Sequence, residues 1–174
     1  MKICILSGPY KPEKCGISDY IKLLIAEFTK IGIHCVHRSI NDKYALENTA
    51  NNLPNADIYS FQFAPYFFSP IGLTGKSLQK LAKSLSNREL HINFHEIWVG
   101  AYPKAKWKEK IWGCFQKREI KSLVETSKPK TITCSNSAAL DRLQKENLKA
   151  KYLYLCGTVP FSPYRETDSS DHLR

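Results

Sequence analysis

From the first residue of the chain, short apolar runs alternate with stretches of helical period, the order expected of βα units building a mostly parallel sheet. Lys2 to Ser7 is an apolar run that stops at Gly8-Pro9, as a buried first strand ending in a loop would. From Ile17 the apolar positions fall at Tyr20, Ile21, Leu24, Ile25, Phe28 and Ile31, which lays one stripe along a helix. Gly32 closes it. Ile33 to Ile40 reads as the second strand, and the polar stretch Asn41 to Asn55, with paired asparagines and Pro54, leaves room for one helical turn at most.

The alternation in Asp57 to Phe63 marks a third strand, followed by an aromatic, Pro- and Gly-punctuated loop from Ala64 to Gly75. Leu78, Leu81, Ala82 and Leu85 then space a helix. Leu90 to His95 is the fourth strand, and Pro103 is placed to start the helix after it, which runs to about Thr126. Thr131 to Cys134 is the fifth strand, Ser135 or Ser137 is positioned to cap a helix through Leu140 and Leu143, and Tyr152 to Leu155 is the sixth strand. The expected architecture is a Rossmann-like three-layer α/β/α domain over 1–161 with a mostly parallel sheet of about six strands. Residues 162–174 form a polar tail or the start of a linker.

Composition narrows the class. A chain of 174 residues, 43% hydrophobic and 24% charged, buries roughly 70% of its unfolded surface as one domain. No run reaches the ~20 apolar residues of a spanning helix, and Met1 to Leu6 meets Ser7-Gly8-Pro9 too early for a secretory signal, so a cytoplasmic location is expected. Six scattered cysteines without a Cys-x-x-Cys pair read as reduced, mostly buried thiols. The net charge of +10 favours anionic partners without choosing among nucleotide phosphates, nucleic acid and an acidic membrane surface.

Three stretches carry candidate chemistry. The loop Gly8 to Gly16 joins the first strand to the first helix, where ligands of such sheets collect and a helix N-terminus attracts phosphate. Neither a dinucleotide fingerprint nor a Walker loop is present, so Gly16 is open to two readings, close approach to a ligand or plain turn chemistry. Asn93-Phe94-His95-Glu96 puts a histidine and a carboxylate at the end of the fourth strand, facing the same crevice. A zinc protease is excluded because Val99 occupies the position of the required second histidine. His91 lies on the same strand face ~13 Å away. For His95, contact with a sugar and a bond to backbone groups remain alternatives.

The third stretch, Lys104 to Trp112, continues through Phe115, Lys117 and Arg118. Its tryptophans among lysines match a surface that sits at an anionic membrane interface, and equally an ordinary helix packing its aromatics inward. No RNP-like or helix-turn-helix signature accompanies the charge, so nucleic acid is not an expected partner. An epimerase-like nucleotide enzyme is disfavoured by the missing glycine fingerprint and the lack of a Tyr-x-x-x-Lys pair on a helix after the fourth strand, Tyr102-Pro103-Lys104-Ala105-Lys106 being an accidental near-match.

The order of these motifs resembles the N-terminal domain of retaining glycosyltransferases of family 4, which have the two-domain GT-B fold. The resembling segments are Lys2 to Ser7, Cys15-Gly16-Ile17-Ser18-Asp19-Tyr20, Gly32-Ile33-His34-Cys35-Val36, Ala56-Asp57-Ile58, Gln62-Phe63 and Phe94-His95-Glu96. Thr133-Cys134-Ser135-Asn136-Ser137 followed by Leu140-Asp141-Arg142-Leu143 is similar to the strand, serine and helix closing that domain. The chain departs from the pattern where Cys15 replaces the first of two glycines and where Ile33 separates Gly32 from His34.

The resemblance implies that Gly16 lies against the diphosphate of a sugar nucleotide and that His95 contacts the transferred sugar. Glu96 would act beside His95, and Ser18, Asp19 and Ser135 would join the nucleotide side. It implies no metal and no resident cofactor, the sugar nucleotide being the donor substrate. The acceptor would be a glycan or a lipid-linked sugar. The donor-binding C-terminal domain of that family, with its Glu-x7-Glu motif, is absent from this sequence, so a partner subunit would have to complete the cleft. The alternative is a non-catalytic glycan- or membrane-binding module, peripheral at the inner face of a membrane. Both depend on the first and fourth strands being parallel neighbours that bring Gly16 and His95 to one opening.

Overall fold

The computed structural model describes residues 1–155. The boundary expected at residue 161 and the polar tail lie outside the described residues. Six strands, β1 (Lys2–Ser7), β2 (His34–Ser39), β3 (Ile58–Phe63), β4 (Leu90–Phe94), β5 (Thr131–Cys134) and β6 (Ala150–Tyr152), form one sheet in the order β2-β1-β3-β4-β5-β6. Every pairing is parallel. Five α-helices connect them: α1 (Gly16–Lys30), α2 (Lys43–Asn51), α3 (Lys76–Leu85), α4 (Trp107–Ser127) and α5 (Ser137–Lys145). This is the expected three-layer Rossmann-like architecture with a wholly parallel sheet of six strands.

The strand order corrects one expectation. β1 and β4 are not neighbours, because β3 pairs with both. The chain steps outward once, from β1 to β2, returns to pair β3 with β1, and each later unit adds a strand beyond β3.

The two sheet faces receive different helices. Cys4, Leu6, Tyr59, Phe61, Phe63, Leu90, Ile92, Phe94, Ile132 and Cys134 point to one face and pack with Leu46 of α2, four side chains of α3, Ile120 and Leu123 of α4, and Leu143 of α5. Ile3 and Ile5 point to the other and pack with Tyr20 and Ile21 of α1. Among the described helices, α1 alone contributes to that second core.

Four details of the elements differ from the sequence reading. The polar stretch after the second strand holds a full helix, α2, rather than one turn at most. Asp42 caps it by accepting from the Tyr44 and Ala45 N–H groups at 2.8 Å each, and buried Leu46 holds it against α3. Helix α4 begins at Trp107, not at Pro103, because the Glu109 carboxylate accepts from the Lys106 N–H at 2.8 Å and from the Tyr102 hydroxyl at 2.6 Å, which sets the first turn there. Strand β6 ends at Tyr152 instead of starting there; buried Leu148 and Ala150 reach the core, whereas Tyr152 and Tyr154 face solvent. Asn136, rather than Ser135 or Ser137, caps α5, accepting from the Ala138 and Ala139 N–H groups.

Candidate functional site

Strands β3, β4 and β5 each alternate apolar and polar residues, and their polar side chains share the face that carries α1. Ser60 and Gln62 come from β3, His91 and Asn93 from β4, and Thr133 from β5. Register brings them side by side, Ser60 opposite His91 and Gln62 opposite Asn93, with Asn93 opposite Thr133. The hydrogen bonds close into a ring. The Gln62 amide donates to the Ser60 hydroxyl (2.8 Å), which donates to His91 Nδ1 (3.1 Å). His91 Nε2–H donates to the Thr133 hydroxyl (2.7 Å), Thr133 donates to the Asn93 carbonyl (2.9 Å), and the Asn93 amide donates to Gln62 Oε1 (3.1 Å). Thr133 spends its one proton on Asn93, so His91 Nε2 carries a proton, and in the neutral ring that burial favours Nδ1 accepts from Ser60.

His95 follows β4, its own N–H donating to the Phe63 carbonyl at 3.0 Å and so extending the ladder by one residue. Its Nε2 lies 2.7 Å from Gln62 Oε1, and because that oxygen only accepts, Nε2 carries the proton. Asn93 Nδ2, at 3.2 Å, is then a close neighbour of Nε2 and not a partner. The lone pair is left on Nδ1. Burial holds the His95 imidazole down, to about 4 from its ordinary 6.5, and His91 beside it adds to the shift. Burial also lowers His91. His95 is therefore a neutral acceptor at pH 7, rigidly oriented by a ring of buried amides and hydroxyls.

His95 and the exposed Glu96 open into a pocket of about 580 Å³ beyond the carboxyl ends of the strands, where ligands of open parallel sheets bind. Tyr66, Trp98 and Tyr102 supply aromatic walls and Arg142 of α5 a cation. The Arg142 guanidinium forms no ion pair or hydrogen bond with any other described residue. Close packing fixes the pocket's far wall. At Gly113 a Cβ would sit 2.0 Å from the Val99 carbonyl oxygen, and Gly100, at φ +68°, abuts the backbone of Glu109. Buried Gln116 ties the wall down, accepting from the Val99 N–H (2.9 Å) and donating to the Ile71 carbonyl (2.9 Å).

The residues singled out near the first helix lie elsewhere. Gly16, Ser18, Asp19 and Ser135 do not line this pocket. The Ser18 hydroxyl accepts from the Lys11 N–H (2.9 Å) and donates to the Pro9 carbonyl (3.3 Å), while the Asp19 carboxylate accepts from the Glu13 N–H (2.7 Å). Both hold the loop between β1 and α1 in shape. Gly16 is exposed, and a Cβ there would meet nothing within 4 Å, so the fold does not demand glycine. One turn further along α1, the Tyr20 ring meets the His95 ring edge-on with centroids 5.6 Å apart. The first helix thus reaches His95 through Tyr20.

Sequence reasoning missed Arg142 and Tyr66 as wall residues. Arg142 had a signal: Ala138, Ala139 and Arg142 follow one another along one side of α5, next to the stripe that buries Leu143. Tyr66 sits in a short 3₁₀ turn, Pro65–Phe67, that no periodicity announces.

No protein-family model matches the chain, and no curated protein matches it by sequence. Solved structures do match. An alpha-glucosyltransferase in complex with UDP is similar at 12% identity and TM-score 0.56, over 94% of this chain and 42% of that one. An alpha-glucosyltransferase in complex with UDP and a 13-mer DNA containing an HMU base is similar at 13% identity and TM-score 0.56, over 88% of this chain and 41% of that one. The chain spans about two fifths of the length of these glucosyltransferases. An acetyl xylan esterase also matches, at 14% identity and TM-score 0.50, over 89% of this chain and 87% of that one. At such identities the likeness is one of fold.

Proposed function

We propose that the chain is the acceptor-side half of a sugar-nucleotide-dependent glycosyltransferase, of the retaining family 4 type, that is completed by a donor-binding domain. The single observation that carries the reading is His95, a neutral, pre-oriented acceptor at the mouth of a pocket of sugar size. Its Nδ1 lone pair suits a hydroxyl of the transferred sugar, aromatic walls suit the apolar faces of sugar rings, and Glu96 suits a second hydroxyl. Arg142 supplies positive charge for an anionic group, whether a departing diphosphate or one on the acceptor. The glucosyltransferase likeness in fold supports the same direction, while the esterase likeness is a reminder that fold alone selects no chemistry.

β3 separates β1 from β4, so the reading rests on Tyr20 of α1 meeting the His95 ring rather than on neighbouring strands. Gly16 is kept as the candidate for the nucleotide side because no packing demand explains it, whereas Ser18 and Asp19 are spent on the loop. The test is transfer of labelled sugar by the chain mixed with a donor-binding partner domain and sugar nucleotides. His95→Ala should lower the rate roughly 100-fold, the loss typical of one hydrogen-bonding group at a reacting centre. An unchanged rate in that variant would remove the reading.

A further inference from the structure

One wall of the pocket that holds His95 comes from a single helix, α5, and its approach: Asn136, Ala138, Ala139 and Arg142. Arg142 has no counter-ion among the described residues, and its surroundings show why. On a helix the partners of a charged residue stand three and four places away. Those before Arg142 are Ala139 and Ala138; those after it are Lys145, of like charge, and Glu146. Glu146 has the right charge and spacing, yet its carboxylate is drawn to α4, to Lys117 at 2.6 Å and Lys121 at 3.3 Å. Across the pocket, the Glu109 carboxylate is held by the Tyr102 hydroxyl and the Lys106 N–H, and Glu96 makes no ion pair with Arg142.

The side chains of this wall offer hydrogen-bond donors only. Asn136 spends its side-chain oxygen on the Ala138 and Ala139 N–H groups, and its Nδ2 donates to no other described residue. At the helical rise of 1.5 Å per residue, Asn136 and Arg142 stand roughly 9 Å apart, with the small side chains of Ala138 and Ala139 between them. A sugar hydroxyl both donates and accepts, so a wall of donors uses half of it. A carboxylate or phosphate only accepts, and it carries the charge that Arg142 has no partner for; hydrogen bonds between such ionised groups are about twice as strong as neutral ones.

Position separates this cation from the nucleotide candidate. Gly16 opens α1 after β1, two places from β4 on one flank, whereas α5 follows β5, next to β4 on the other. Tyr20 of α1 meets His95 from the first flank. The α5 wall therefore lies across His95 from Gly16, on the side left to the acceptor.

We propose that Arg142, aided by the Asn136 amide, binds an acidic group on the acceptor, which makes the acceptor an anionic sugar, either a uronate or a sugar phosphate. Calling this molecule the acceptor rests on the glycosyltransferase reading; the preference of the pocket for an acidic sugar does not. The test is an amide NMR titration of the full chain with glucose, glucuronate and glucose 6-phosphate, and with acetate and inorganic phosphate as sugar-free anions. At least one acidic sugar should shift the amides of residues 97–102 and 138–142 and bind roughly tenfold tighter than glucose, and the tighter of the two identifies the group. Arg142→Gln should erase that preference with unchanged melting, and Arg142→Lys should restore part of it. UDP should leave the affinity of the acidic sugar unaltered. Equal binding of glucose and both acidic sugars, or a preference that survives Arg142→Gln, would overturn the proposal. So would a sugar-free anion that binds as tightly as the matching acidic sugar, which would mean an adventitious ion only. Competition by UDP that Arg142→Gln relieves would also overturn it, assigning the cation to the departing diphosphate. Acid preference without His95-dependent transfer in the completed enzyme removes the enzyme reading alone; transfer that runs equally to neutral and acidic acceptors, unchanged in Arg142→Gln, removes this assignment alone.

Discussion

The two faces of this sheet are built from the same strands and do opposite work. On one, Tyr59, Phe61, Phe63, Ile92 and Phe94 meet four helices in a continuous apolar core. On the other, two residues away along the same strands at most, Ser60, Gln62, His91, Asn93 and Thr133 close a hydrogen-bonded ring that aims His95 at the pocket. Apolar packing is non-directional, so the first face supplies stability without fixing any one atom. A buried polar ring works the other way: every member must be satisfied, which fixes orientation and tautomer. None of the buried side-chain N and O atoms among the described residues lacks a partner.

The largest effect should come from the apolar face. Phe61 is fully buried and packs against Phe63 and Phe68, so Phe61→Ala should cost about 4 kcal/mol in denaturant unfolding. A loss below about 1 kcal/mol would show that this face is not the main source of stability. Acidification should act on the polar face. The folded-state pKa of His95 is depressed, to about 4 against 6.5, so its contribution is complete above pH 6.5 and drains away as pH falls toward 4. The loss is about 3 kcal/mol at most by linkage, and unfolding midpoints measured between pH 7 and 4 should record it. His95→Gln should flatten that dependence.

Gln62→Leu should cost about 2 kcal/mol, because it leaves the His95 Nε2–H and the Asn93 amide without their acceptor. Its effect on ligand binding should exceed its effect on stability, which separates aiming from holding. Gly16→Ala should change stability by no more than about 0.5 kcal/mol, since a Cβ there meets nothing and the residue begins a helix. A matching titration with sugar nucleotide should nonetheless show weaker binding in the completed enzyme; equal binding would return Gly16 to plain turn chemistry.

Much of this was legible in the chain. Period-two alternation in Ile58 to Phe63 and Leu90 to Phe94 is unusual for parallel strands, which read as unbroken apolar runs when both faces are covered by helices; it was enough to place the third strand, although the polar face it creates went unread. His95 and Glu96 were placed at a strand end by the same pattern. The neighbour relation was not legible, because crossover direction is a property of the whole sheet, and the expected β1 and β4 pair is split by β3. Helix α2 was hidden because one buried leucine and an aspartate cap, rather than a stripe, support it. Arg142 was missed because α5 was read for its apolar side.

The ring's central consequence is open to direct measurement. Nitrogen-15 NMR of the His95 side chain, followed from pH 7.5 to 4.5, reads both charge and tautomer. The account predicts a neutral ring protonated at Nε2 and bare at Nδ1 that persists to at least pH 5. Titration at the ordinary 6.5, or a proton on Nδ1 in the neutral form, would contradict it.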